Sequence, residues 1–152
     1  MAVRAAQFLA IVCSALALIP SGAHLAALPN KVALPQAEFF IVQDIYRGWA
    51  ILGMLWLAAL AANAALAFLV RADRAPFRYA VLAAMCWVLV FTVFLGWTFP
   101  ANQATANWTA VPENWDALRR QWEYSHAANT AIAVAALCLT SLSVLSWRPN
   151  GR

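Results

Sequence analysis

Apolar residues in this chain gather into four long runs, and the short stretches between them hold most of the charge. The runs extend from about Ala5 to Leu28, Gly48 to Val70, Tyr79 to Phe99 and Asn129 to Trp147. Each is roughly 20 residues long, the length a helix needs to cross a hydrocarbon core of about 30 Å. Lipid offers the backbone no hydrogen bonds, so runs of this kind satisfy their own N–H and C=O groups as helices. The pattern predicts an all-α fold, a four-helix transmembrane bundle, with residues 1–152 forming a single integral membrane domain.

The connections refine that expectation. RADRAPFR (71–78) reads as a tight turn, with Pro76 marking the restart of helix. The other two connections are longer and hold Pro29, Pro35, Pro100 and Pro112. An unbroken helical reading runs back from Gly48 to about Gln36 and from Asn129 to about Pro112, since Pro is tolerated in a first turn. Helices 2 and 4 are then expected to project about 15–25 Å beyond the core at 1.5 Å per residue. With the loops they would build an extracytoplasmic polar cap. Pro20 removes one hydrogen bond from the first helix and is expected to kink it near Leu16. Ala127, Ala131 and Ala135 on helix 4, and Ala58 and Ala62 on helix 2, offer small surfaces for close helix contact or for a homo-oligomer. A different reading of the first run, a signal peptide cleaved near Ser21-Gly22-Ala23, is disfavoured by the run's length and by Pro20.

Composition points the same way. The chain is 64% hydrophobic and 11% charged, against about 25% charged in soluble domains. Its partner is therefore expected to be the lipid bilayer. The net charge of +4 does not indicate nucleic acid, because the basic residues cap apolar runs instead of sharing a polar face. Arg4, Arg71, Arg74, Arg78, Arg148 and Arg152 fall on one side. Lys31, Arg47, Arg119 and Arg120 fall on the other, offset by Glu38, Asp44, Glu113, Asp116 and Glu123. The positive-inside rule places both termini in the cytoplasm. Trp97, Trp108, Trp115 and Trp147 are expected at the interfaces. Cys13, Cys86 and Cys138 lie deep in apolar runs with no CxxC spacing, as small buried side chains do.

The candidate chemistry lies in one layer. His24 ends about 30 Å along the first helix from Arg4. Gln43, Tyr46 and Arg47 precede the second run, Asn102 follows the third, and Arg119, Glu123 and His126 precede the fourth. Arg119, Glu123, His126 and Thr130 recur at spacings of four, three and four, so they share a helix face. Trp122 and Asn129 border it. His126 and Glu123 are the candidate catalytic pair. His24, Gln43, Tyr46, Arg47, Asn102, Arg119, Trp122 and Asn129 are the candidate substrate-binding residues. The plainer reading makes Arg119–Glu123 a helix pair worth a few tenths of a kcal/mol and the histidines hydrogen bonders at a membrane boundary. His24, His126 and Glu123 are a weak alternative as ligands for Zn or Fe. With no HxxxH or HExxH spacing, no metal or other cofactor is assigned. Asn63, in the middle of the second run, is expected to hydrogen-bond across helices.

FPAN (99–102), a polar loop, and then Trp115, Arg119-Arg120, Gln121-Trp122-Glu123 and His126 leading into a last apolar run resemble the anthrone oxygenase-like family of small four-helix membrane proteins. The shared motifs lie within 97–130 and single out Pro100, Asn102, Trp122 and His126. One position departs: where members often carry an arginine three residues after the histidine, this chain has Asn129. The resemblance implies a flat aromatic substrate and molecular oxygen, with His126 as base and Trp122 as stacking wall, and, its members being mostly bacterial, a bacterial inner membrane as the location. Arg47 or Arg119 would then supply the missing positive charge.

Two functions follow. An oxygenase-like enzyme acting on an aromatic or quinone-like molecule predicts a pocket lined by His24, Arg47, Trp122 and His126. A non-catalytic subunit, scaffold or ligand-binding module predicts polar residues paired with one another and no cavity. A transporter is disfavoured, since the two halves show no repeat.

Overall fold

The computed structural model describes residues 1–149, so Arg152 lies outside the described residues. The described residues are mostly helical, with no strand among them. Helix α1 spans Ala2–Lys31, α2 Gln36–Gln43, α3 Gly53–Leu69, α4 Arg74–Val93, α5 Phe99–Ala104 and α6 Trp115–Ser146. A π-helical turn, Phe94–Thr98, joins α4 to α5, so helix runs without a break from Arg74 to Ala104. Four stretches, Ala2–Lys31, Trp49–Leu69, Arg74–Ala104 and Trp115–Ser146, are long and apolar enough to cross a membrane.

The long helices pack α1 on α3 and α6, and α4 on α3 and α6. Small residues make this close. The central core joins Ala17, Ala59, Ala133 and Ala136 to Trp56, Trp87 and Val90. At one end, Ala6, Ala10, Leu66, Ala67, Val70 and Ala80 form a second core. There the start of α1 meets the end of α3 and the start of α4. At the other end, Phe39 of α2, Ala101 of α5, and Leu118 and Trp122 of α6 gather with Trp108.

Several details differ from expectation. Helix 2 does not run unbroken from Gln36. It stops at Gln43, passes through a 3-10 turn (Asp44–Tyr46), and extends at Arg47. The backbone then turns left-handed at Gly48 (φ +84°) and resumes as a second 3-10 turn, Trp49–Leu52. Gly adopts φ > 0 without a Cβ clash, and that freedom lets the chain turn here between the two 3-10 turns. On α6 the small contact face is Ala133, Ala136, Thr140 and Ser143, whereas Ala131 and Ala135 are exposed. On α3, Ala59 is buried and Ala58 is exposed. Cys138 is exposed, and Trp108 sits in an aromatic core instead of at a surface.

Asn63 does what its position predicts. Its Nδ2 donates to Ser14 Oγ at 3.1 Å and to Ala59 O at 2.9 Å. Thr140 Oγ1 stands 2.7 Å from Asn63 Oδ1 and 2.8 Å from Ala136 O, its single proton shared between them. One buried amide thus links α1, α3 and α6.

Candidate functional site

Five elements deliver their polar groups to one place. His24 comes from α1, Gln43 from α2, Tyr46 and Trp49 from the 3-10 turns, and Trp122 and His126 from α6. Trp122 and His126 are four apart and so face the same way. The rings of His24 and His126 stack at 4.0 Å between centroids, 22° from parallel. Trp122 closes on both, 4.8 Å from His24 and 4.3 Å from His126. Tyr46 lies 4.3 Å from His24 on a further side.

This cluster forms part of the wall of a cavity of about 690 Å³. Arg47, Asn102, Asn107, Trp108 and Trp49 complete its polar end. Its size is that of a small-molecule site. Among the groups in this wall, His24 Nδ1, both ring nitrogens of His126, both amide atoms of Gln43, and the indole N–H groups of Trp56 and Trp122 are buried without a protein hydrogen-bond partner. Buried polar atoms are ordinarily paired, so a concentration of unpaired ones around a cavity asks for a ligand or ordered water.

The wall is held by local features that the sequence explains. Pro100 cannot donate to Gly96 O, and the turn ahead of it is the widened π-helical one. Gln121 Nε2 donates to Trp97 O at 2.8 Å, and Thr98 Oγ1 pairs with Ser125 Oγ at 2.7 Å, docking α6 on that turn. Asn102 Oδ1 accepts the Trp108 indole N–H at 3.1 Å. Trp108 needs this anchor because Ala106, Asn107 and Trp108 all have positive φ (48°, 56° and 66°). Left-handed residues without glycine cost energy and collect at ligand-binding sites.

Of the expected site residues, His24, Gln43, Tyr46, Arg47, Asn102, Trp122 and His126 do line the cavity. Glu123, Arg119 and Asn129 do not. Glu123 forms an ion pair with Lys31 Nζ at 2.9 Å, both side chains sealed from solvent. It does not pair with Arg119. Arg119 instead pairs with Asp116, donates to Leu34 O at 2.7 Å and lies over the Trp115 ring. These contacts make it a clamp between α6 and the segment after α1. Asn129 is fully buried with neither amide atom hydrogen-bonded. Arg47 stands at the exposed rim, paired with Asp44.

Glu123 and His126 have the Glu-x-x-His spacing found in carboxylate-bridged metal helices. Yet among the described residues no three His, Cys, Asp or Glu side chains come together as a ligand set. Lys31 holds the carboxylate, so His24, His126 and Glu123 do not form one site.

Lys31 is the residue that sequence reasoning missed. Its Nζ lies 4.6 Å from the Tyr46 ring centroid and 4.9 Å from that of Trp122, so it also touches two members of the aromatic cluster. Comparison of the chain with family models, curated proteins and solved structures returned no match.

Proposed function

We propose that this chain is an integral membrane protein whose cavity binds a flat aromatic or quinone-like molecule and acts on it as an oxygenase-like enzyme. One observation carries the reading: the stacked His24–His126 pair and Trp122, with unpaired ring nitrogens, form part of the wall of a cavity large enough for such a molecule. Residues that served only to mark a boundary would pair with one another and leave no such space.

The membrane placement draws on the outer faces of the long helices. Phe8, Ile19, Phe68, Met85 and Leu145 are all exposed there, which suits acyl chains better than water. Arg4, Arg71, Arg74, Arg78 and Arg148 are exposed around the opposite end from α2 and α5. That end is cytoplasmic by the positive-inside rule. The four long helices then form a transmembrane bundle in a bacterial inner membrane. The α2 and α5 end, with the start of α6, makes the extracytoplasmic cap.

The chemistry follows the resemblance to the anthrone oxygenase-like family through Pro100, Asn102, Trp122 and His126. His126 takes a proton from the activated CH₂ of an anthrone-type ring, and Trp122 stacks on the ring. The carbanion combines with O₂, and the proton returns to give a hydroperoxide. Loss of water leaves a ketone, so one CH₂ and one O₂ become one C=O and one H₂O. The Gln43 amide in the wall, and Arg47 at the rim once released from Asp44, would supply the donors for the oxygen on which the negative charge collects. General-base help of this kind is worth about 10²–10⁴-fold in rate.

A ligand-binding module without catalysis is the second reading. It is favoured by the position of Glu123, which is held by Lys31 outside the cavity and leaves His126 without a carboxylate partner. Oxygen uptake by purified protein with anthrone separates the two. The enzyme reading expects uptake that falls about 10²-fold or more in His126→Ala. Binding without uptake supports the second reading, and neither binding nor uptake contradicts both.

A further inference from the structure

The cavity has a second, apolar end. From Gly48 its wall follows the start of α3 to Leu57, roughly 15 Å at helical rise. There the cavity is lined by Met54, Trp56 and Leu57 of α3 and by Phe91, Phe94 and Leu95 at the end of α4. Apart from the Trp56 indole N–H, the unpaired polar groups stay at the His24–His126 end. Met54, Leu57 and Leu95 line the cavity and are also 63%, 48% and 60% exposed, so the protein does not close over this end. Two irregular turns border the gap: the 3-10 turn Trp49–Leu52 delays the start of α3, and the π-helical turn Phe94–Thr98 widens the end of α4. Trp56 spans the gap below them, with its ring 5.9 Å from Phe91 and 5.5 Å from Phe94.

We infer that the cavity opens sideways into the bilayer between α3 and α4, and that its ligand is a ring bearing a long apolar tail, as in an alkylated or prenylated quinone. The ring rests against His24, His126 and Trp122, and the tail leaves past Leu57 and Leu95 into the acyl chains. This rests on the membrane and aromatic-ligand reading above. A mouth at this depth meets solutes already dissolved in the hydrocarbon, and a ring without a tail gains nothing from the apolar end.

The test uses the full chain in lipid nanodiscs and two probes, a tailless benzoquinone and the same ring with a decyl chain. Quenching of tryptophan fluorescence is read against probe per lipid. The tailed probe is expected to bind several-fold more tightly per lipid, because only a tailed ligand packs its first methylenes against the apolar wall, and close packing is what drives association inside lipid. Leu57→Phe with Leu95→Phe, which adds bulk but no new fluorophore to the tryptophan signal, should remove that advantage while the tailless ring still binds. A tailed probe with a diazirine at its far end gives a readout independent of the variants, and should label the 54–57 or 91–95 segment. Equal affinity for both probes, or labelling confined to other segments, overturns the lateral opening and leaves the aromatic site standing. Binding of neither probe overturns the aromatic-ligand reading and this inference with it.

Discussion

Lys31 and Glu123 meet at 2.9 Å with side chains 4% and 0% exposed, tying the last turn of α1 to α6 one turn before His126. Lys31 also sits where the C-terminal end of a helix dipole favours a cation. Its contacts with Tyr46 and Trp122 join the 3-10 turn to the same knot. The pair therefore sets how α1 and α6 approach, and so how His24 and His126 stack.

Removing one partner strands the other charge, at a cost of about 3–5 kcal/mol, whereas replacing both with apolar residues is often close to neutral. Lys31→Met is accordingly expected to lower the unfolding midpoint of the detergent-purified protein sharply, and Lys31→Met with Glu123→Leu to recover most of the loss. A double variant as unstable as the sum of the single ones would show that the two charges are not coupled.

Gly48 gives a cleaner backbone test. A Cβ there meets nothing within 4 Å, but the φ of +84° strains any side chain. Gly48→Ala is expected to cost about 1–2 kcal/mol. Gly53, with an ordinary helical φ of −60° and equally open space, should tolerate Ala at no cost or gain about 0.4–1 kcal/mol. Matching changes in the unfolding midpoints of the two variants would argue against the left-handed turn.

Asn63 is expected to act on stability and not on the site. Asn63→Leu leaves Ser14 and Thr140 without their interhelical partner and should cost about 0.6–1.7 kcal/mol, the range for such bonds between membrane helices. Ligand affinity should stay at the wild-type level. A folded Asn63→Leu protein that has lost its ligand would place the amide in the binding site.

The four long helices are legible in the sequence because length and hydropathy alone decide them. The meeting of His24, Gln43, Tyr46, Trp122 and His126 is legible too, since helical rise and spacing put them at one depth. The break at Gly48 is not: one Gly inside a helical pattern costs only about 1 kcal/mol, so the pattern reads through it. Lys31 is hidden because it follows Pro29 and looks like a loop cation. The helix in fact passes through Pro29 and carries Lys31 inward. Glu123 and Arg119 share the face expected of them, but each finds a partner on another segment, and hydropathy carries no information about pairing at a distance. The left-handed turn at Ala106, Asn107 and Trp108 contains no glycine to announce it.

The chain contains only two histidines, so ¹⁵N-imidazole labelling isolates the proposed site in a single spectrum. Titration of the labelled protein in nanodiscs with a benzoquinone or an anthrone is the most direct test of the central claim. Ring-nitrogen signals from both His24 and His126 are expected to move together and to saturate at one concentration, and Trp122→Leu should weaken the response. Two histidine signals that stay fixed across the titration, or that respond at different concentrations, would contradict a shared aromatic site.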